Sequence, residues 1–419
     1  MGLSKNLNGA IMTAEILIMN KEAVALAADS AVTVDFPFSA PKIYYTANKI
    51  FQLSYKFPVG IMIYGNTNFM SVPWSTIIKL FRKEIDSEKE SIKDYVVLFI
   101  DFLKSKSYFF KEHESKWIEQ FVNGYFLILS KIIAQDIDKL LKNKGMLTNK
   151  EVVSIIEKKL QEIVESWKRI KDNITGTIKS WEKVKKRFET LFKELSFKFF
   201  PTISENVRRK LLESIKYIFI KKHPFLKPPH SGVIVAGFGS EEIFPAFSEI
   251  EFYGIFENDI VYDIIKEDKV TYESNSLLVP FAQKNEIITF LDGIQPKYLE
   301  IILGIINNII SNICQINNIE IIKIIRKQIL DIRKNFHKPI LTIISYLPKD
   351  ELGNMAETLI NLTSFKRHVS ISEETVGGPV DVAVISKGDG FVWLKRKHYF
   401  DPKLNPQYFM RFNLGIKGD

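Results

Sequence analysis

Four residues of the N-terminal region are of types that together could cleave an amide bond: Thr13, Asp29, Lys49 and Gly65. A threonine at a chain terminus carries nucleophile and base on one residue. Its Oγ attacks, and its free α-amine accepts the proton. An α-amine titrates near pH 8, so part of it is neutral at pH 7. A neighbouring lysine lowers that pKa by like-charge repulsion and steadies the alkoxide. An aspartate holds the lysine in place. A backbone N–H beside a glycine faces the developing oxyanion. The chain supplies these parts in order: Thr13 opens "TAEILIM", Asp29 follows "AVALAA", Lys49 opens "KIFQL" and Gly65 closes "GIMIYG". Alone, each has an ordinary reading. Thr13 is a β-branched strand residue, Asp29 a strand-end turn residue, Lys49 a solvated edge lysine and Gly65 a turn glycine. Their joint order and spacing, together with a match near the other end of the chain, favour the chemical reading.

Such residues need strands to carry them. Thr13–Met19 and Ala23–Ala28 are apolar runs around the polar turn Asn20-Lys21-Glu22, the pattern of a hairpin. Both runs are almost continuously apolar, which predicts strands covered on both faces. Lys49–Ser54 and Pro58–Tyr64 form a second pair around Tyr55-Lys56. Gly65-Asn66 ends it, and "SVPWSTIIKLFRKEI" opens a helix with Ser71 as its cap. From 86 to 229 the pattern turns helical, with Ile155, Ile156, Leu160, Ile163 and Val164 at helical spacing among Lys and Glu. The proline-rich "HPFLKPPHSG" closes that block. Strands resume at Gly232–Gly237, Ala246–Phe256 and Asp259–Ile264. Helices are predicted within Lys284–Phe336 and over Lys349–Ser364, and a last strand pair over Val380–Ser386 and Gly390–Lys395. Strands first and last, with helices between, predict an α+β domain.

Composition removes several function classes. The chain has 419 residues, too many for one ordinary core without insertions. It is 46% hydrophobic and 26% charged, as soluble globular proteins are. The single cysteine, Cys314, excludes a disulfide framework and fits a reducing, cytoplasmic compartment. With six scattered histidines no metal-ligand spacing arises, so neither metal nor cofactor is expected. The net charge of +9 is spread over Lys-rich helices, a solvated face rather than a nucleic-acid footprint. Trp167 and Trp181 could stack on bases, although helical cores hold most such tryptophans. "KRKHYF" at Lys395–Phe400 reads as surface. The apolar run Tyr298–Ile325 is broken by Glu300, Asn307, Asn308 and Asn312, and reads as a buried helix pair, not a bilayer span. The opening "MGLSKNLNGAIM" lacks the apolar core of a signal peptide.

Two stretches carry a more specific pattern. One is "TAEILIMNKEAVALAADSAVT", continued by "KIFQL" and "GIMIYG". The other is "VGGPVDVAVISKGDGFVWL", preceded at a distance by "VIVAGF". Together they resemble the proteasome β-subunit family of N-terminal-nucleophile (Ntn) hydrolases. Counted from Thr13, Asp29 falls without a gap at the family's acidic position, and Thr33 falls where the family has a substrate-binding threonine. "KIFQL" is similar to its lysine strand after a small loop insertion. "GIMIYG" is similar to its "G-x-x-x-A-G" strand, with Tyr64 in the alanine place. The resemblance covers the β-rich ends and middle and leaves out the helical block.

It implies a four-layer αββα sandwich with an inserted all-helical lobe. Residues 1–85 and 230–419 would form the core, with additional helices near 296–336, and residues 86–229 the lobe. It implies a threonine-type peptidase or amidase acting on a peptide or small amide, with Thr13 as nucleophile, Asp29 and Lys49 as tuning groups and Gly65 N–H at the oxyanion. Because relatives assemble into rings, it also implies a homo-oligomer. Neither nucleic acid nor membrane is implied. By the same alignment Glu373 stands at a supporting Asp position, and Val376 where a Ser precedes the Gly-Gly pair, with Thr375 as its substitute. A further supporting Ser of the family lies in a "G-S-G-S" turn. "ESNS", with Ser274 and Ser276, is the nearest candidate.

Thr13 is not the first residue, and relatives expose theirs by self-cleavage after Gly, whereas Met12 stands here. Either translation starts at Met12 and methionine removal frees Thr13, which is the expectation adopted, or residues 1–12 persist and lock the amine in a peptide bond. The competing function class is a catalytically silent scaffold that binds a partner through the helical lobe.

Overall fold

The computed structural model of the chain describes residues 13–34, 42–171, 173–222, 230–314, 319–369, 377–407 and 410. The strands are β1 (Ala14–Asn20), β2 (Ala23–Ala28), β3 (Val32–Val34), β4 (Lys42–Tyr44), β5 (Ile50–Gln52), β6 (Val59–Gly65), β7 (Asn68–Phe69), β8 (Val72–Pro73), β9 (Ser231–Gly237), β10 (Ala246–Phe256), β11 (Asp259–Lys269), β12 (Ser276–Ala282), β13 (Asp381–Ser386) and β14 (Gly390–Lys395). The helices are α1 (Trp74–Arg82), α2 (Ile92–Ser105), α3 (Glu114–Lys144), α4 (Asn149–Arg169), α5 (Trp181–Phe199), α6 (Glu205–Ser214), α7 (Lys284–Asp292), α8 (Pro296–Cys314), α9 (Ile319–Ile344) and α10 (Lys349–His368). The fold is mixed α+β with antiparallel sheets. The chain divides into two compact units.

The sheet unit comprises Ile11–Tyr64, Ala236–Ala246 and Lys269–Asp419. Its five-stranded sheet has the order β12-β1-β2-β13-β14, with every neighbour antiparallel. Both strands of the founding hairpin are buried at every position. The register explains why. Ile16, Ile18, Ala25, Ala27, Val382 and Val384 share one face and pack on Ile287 and Leu291 of α7, Ile344 of α9, and Leu352, Ala356 and Ile360 of α10. The other face is covered by the β5–β6 pair. A Cβ on Gly60 of β6 would lie 2.8 Å from the Phe391 ring and 2.9 Å from Ile385. Tyr64 of β6 stacks on Phe281 of β12 with ring centroids 5.8 Å apart. Asn20 closes the hairpin: its Oδ1 accepts Glu22 N–H at 3.0 Å and Ala23 N–H at 3.1 Å. Its Nδ2 donates to the carbonyls of Ile344 at 3.1 Å and Leu347 at 2.8 Å, pinning the turn to the end of α9.

The helical unit has Gly65–Val235 and Phe247–Asp268 as its described segments. Its core joins Phe121, Phe126, Trp167, Phe192, Leu211 and Phe219 to Tyr253, Phe256 and Val261. Trp167 is fully buried, and Trp181 lies parallel to Phe192 at 6.2 Å, so both tryptophans serve packing. Thr148 caps α4 through a reciprocal box with Glu151, whose carboxylate accepts Thr148 N–H at 2.8 Å.

The elements depart from the expectations at four places. Ser71 does not cap α1: it turns a small β7–β8 hairpin at φ 70°, and Pro73 precedes the helix. β12 was not foreseen because Pro280 interrupts its pattern. As an edge strand it can carry a proline. The described residues of Lys284–Phe336 form helices as expected, α7, α8 and α9, but α9 runs on to Ile344 with Pro339 inside it. Within the run Tyr298–Ile325, α8 is not buried as expected, since its Ile301, Ile302, Ile305 and Ile309 are exposed while Leu303 is covered. Among the described residues no helix is long and apolar enough to cross a membrane.

The close approach at Gly60 makes a test of the packed sheet faces. Gly60→Ala is expected to destabilise the protein by about 1–3 kcal/mol through overpacking against Phe391 and Ile385. A parental midpoint in urea unfolding would contradict that packing.

Candidate active site

The site grows from the first residues of β1. Thr13 immediately precedes the strand, and a strand returns to the same face every second residue, which places Glu15 beside it. Thr13, Glu15, Asp29 and Lys49 are each no more than 1% exposed. Buried charges must be paired and hydrogen-bonded, and here they are paired with one another. Lys49 Nζ donates to Asp29 Oδ1 and lies 3.2 Å from Glu15 Oε1. Asp29 Oδ1 also accepts Ala14 N–H at 3.1 Å, and its Oδ2 accepts Gly377 N–H at 3.0 Å. The main chain repeats the link: Asp29 N–H donates to Ala14 O at 3.1 Å, and Ser30 N–H to Gly377 O at 3.3 Å. Lys49 is fixed at its own backbone, where its carbonyl accepts Ile63 N–H at 2.8 Å.

The Gly-Gly pair is a close-approach device. Gly378 adopts φ +79°, and a Cβ there would lie 2.7 Å from Tyr45 Cβ. Only glycine lets this loop pass Tyr45 and bring Gly377 N–H to Asp29.

A second ion pair lies alongside. In the register, Glu15, Ala28 and Asp381 sit abreast on β1, β2 and β13. Asp381 accepts the backbone N–H of Lys397 at 2.8 Å and also its ammonium. Burial lowers the Lys397 pKa, which Asp381 opposes, and the Lys49 charge lowers it further. Glu15 is pushed from 4.5 to about 7, first by burial; Lys49 opposes the rise and the Asp29 charge adds to it. Thr13 lies close enough to Glu15 to favour its ionised form. Even so, apart from the Lys49 ammonium 3.2 Å from Glu15 Oε1 and the Thr13 hydroxyl nearby, Thr13 Oγ1 and both Glu15 carboxyl oxygens make no well-aligned hydrogen bond among the described residues, and both Gln283 amide atoms are buried without a partner there. Gln283 is tied to the site by its backbone N–H, 3.3 Å from Thr13 O. Unsatisfied buried groups cost folding energy, and such a concentration of them points to chemistry rather than packing.

The structure therefore brings Thr13, Asp29 and Lys49 into one buried cluster. Gly65 ends β6 at φ +74°, where glycine is favoured, and a Cβ would come within 3.2 Å of His230 O; it is the first residue of the helical unit's described part. Thr33 stands mid-way in β3, opposite Ile43. Ser276 is not brought to Thr13. β12 runs antiparallel to β1, so Ser276 pairs with Asn20, roughly 20 Å along the strand from Thr13. Its hydroxyl donates to Leu341 O at 2.6 Å. Ser274 precedes it in a turn, its N–H donating to Thr271 Oγ1 at 2.9 Å. Glu373 and Thr375 lie outside the described residues. Sequence reading missed Glu15, Gln283, Asp381 and Lys397. The signal for Glu15 was present: one charge inside an otherwise apolar strand. Lys397, read as surface, turns inward to Asp381.

Lys49→Met would leave Asp29 and Glu15 buried without their shared cation. The expected loss is roughly 3–5 kcal/mol, read as a lower urea midpoint; an unchanged midpoint would show the cluster to be uncoupled. The raised Glu15 pKa also sets a pH dependence. Between pH 4.5 and about 7 the folded state holds a proton that the unfolded state releases. This contribution to stability is full below 4.5, falls as pH rises through about 7, and is flat above. Parent and Glu15→Gln should therefore differ in unfolding free energy by an amount that changes on the order of 3 kcal/mol across that window. A pH-independent difference would refute the shift.

Comparison with protein-family models gives no match, and comparison with curated proteins gives none. Among solved structures the chain is similar to Anbu (ancestral beta-subunit) from Yersinia bercovieri, at 7% identity, over 97% of each chain, with a TM-score of 0.23.

Proposed function

We propose that the chain is a proteasome-like Ntn hydrolase that cleaves a peptide or other amide bond with Thr13. One observation carries this reading: a buried lysine, fixed by an aspartate, in the same closed cluster as a threonine whose hydroxyl has no hydrogen-bond partner among the described residues. The layers of the sheet unit, with helices on one face of the five-stranded sheet and the β5–β6 pair on the other, fit the αββα sandwich that the reading requires.

In this mechanism Thr13 Oγ attacks the amide carbonyl and forms an ester as the amine leaves. The α-amine of Thr13, freed from residues 1–12 or from an initiator Met12, takes and returns the proton. Lys49 holds negative charge on Oγ, Asp29 holds Lys49, and Gly65 N–H receives the oxyanion. Water then hydrolyses the ester.

Intact-protein mass tests the reading. A chain beginning at Thr13, acylated by a hydroxyl-reactive electrophile that Thr13→Ala no longer takes up, is the expected result. A chain that keeps residues 1–12 and labels no better than Thr13→Ala is the scaffold instead.

A further inference from the structure

The α-amine is not the only base that the cluster could use. We propose that Glu15 accepts the Thr13 Oγ proton, so that Thr13 can act as a nucleophile even while it remains in peptide linkage to Met12. The inference rests on Thr13 being the nucleophile, but not on its amine being free.

Glu15 follows Thr13 by two residues on one strand face. Its carboxyl is fully buried, with the Lys49 ammonium 3.2 Å from Oε1 and the Thr13 hydroxyl close enough to favour the anion, and neither oxygen makes a well-aligned hydrogen bond among the described residues. The Thr13 hydroxyl is in the same condition. The other carboxylates of the cluster are committed. Asp29 accepts Ala14 N–H, Gly377 N–H and the Lys49 ammonium. Asp381 accepts Lys397 through both its backbone and its ammonium. Among the described carboxylates of the cluster, Glu15, paired with Lys49 alone, keeps acceptor capacity beside Thr13.

The groups facing Glu15 set its proton affinity. Lys49, at 3.2 Å, favours the anion, and Asp29 opposes it. Across the sheet β13 contributes Asp381 with Lys397, while β12 offers only Phe281, against which Tyr64 of β6 stacks. The resulting value of about 7 suits a base that must both take and return a proton near neutrality.

The step balances. The Oγ–H proton passes to a Glu15 oxygen as Oγ bonds to the acyl carbon. The amide C–N bond breaks, and the amine leaves with that proton. Water then gives a proton to Glu15 while its oxygen attacks the ester, and Thr13 Oγ recovers the proton on departure. Lys49 pairs with whichever oxygen is negative.

A β-lactone is the probe, because it acylates a hydroxyl without needing an amine. Acylation rates would be followed by intact-protein mass on the full chain from pH 5 to 9, with peptide mapping to Thr13. Parent, Glu15→Gln, Glu15→Asp and Thr13→Ala would be compared. The parent should show a rate inflection near pH 7, including on molecules that retain residues 1–12. Glu15→Gln should label about 100-fold more slowly and lose the inflection, as removal of a general base does. Glu15→Asp should recover part of the rate. Glu15→Gln labelled at the parental rate with the parental inflection would overturn the assignment while leaving Thr13 as nucleophile. A parent no faster than Thr13→Ala would instead remove the nucleophile, and this inference with it. Should Glu15→Gln fail to fold, the parent decides alone: a profile flat from pH 5 to 9 on chains retaining residues 1–12 rejects the proposal.

Discussion

An ammonium group held almost entirely out of water governs the sheet unit. Lys49 is 1% exposed, and a charge so placed is tolerable only if its partners are close and themselves satisfied. Asp29 meets that condition by drawing on three stretches of chain: the start of β1, the loop before β5 and the Gly-Gly loop before β13. The glycines follow from the lysine. Without residues that can pass Tyr45, Gly377 N–H would not reach the second oxygen of Asp29. The helices α7, α9 and α10 contribute by sealing the far face of the sheet, so that the strand ends are held by packing rather than by the charges alone.

Charge counting clarifies the unusual member of the cluster. Three carboxyl groups, Glu15, Asp29 and Asp381, meet two ammonium groups, Lys49 and Lys397. With Glu15 protonated the group is balanced; with Glu15 ionised it carries one excess negative charge in a buried place. That imbalance is the electrostatic face of the raised Glu15 pKa, alongside its burial. A free Thr13 ammonium would supply the missing positive charge.

Much of this was readable in the residues. The founding hairpin, the β5–β6 pair and the final strand pair appear close to where apolar continuity and turn chemistry put them, because strands covered on both faces leave long apolar runs. The gathering of Thr13, Asp29 and Lys49 was expected from their order and spacing together with the family resemblance. Three things were not. β12 hid behind Pro280, which an edge strand tolerates. Ser276 seemed near the site only because strand direction is absent from local pattern; the antiparallel register sends it to the far end of β1. Lys397 looked like part of a basic surface segment because its partner, Asp381, is set by sheet pairing rather than by sequence proximity.

The hydrogen bond from Gly377 to Asp29 joins residues 348 positions apart, and the Asn20 bond to Ile344 spans 324. β1 and β2 find their outer neighbours only in β12 and β13. During synthesis the N-terminal hairpin therefore leaves the ribosome long before the strands that flank it exist. Contacts of such separation form late and slowly. The buried cluster around Thr13 thus cannot close until the chain has been made as far as Lys397, and a translation product that stops before β13 would carry Thr13 without the environment that acts on it.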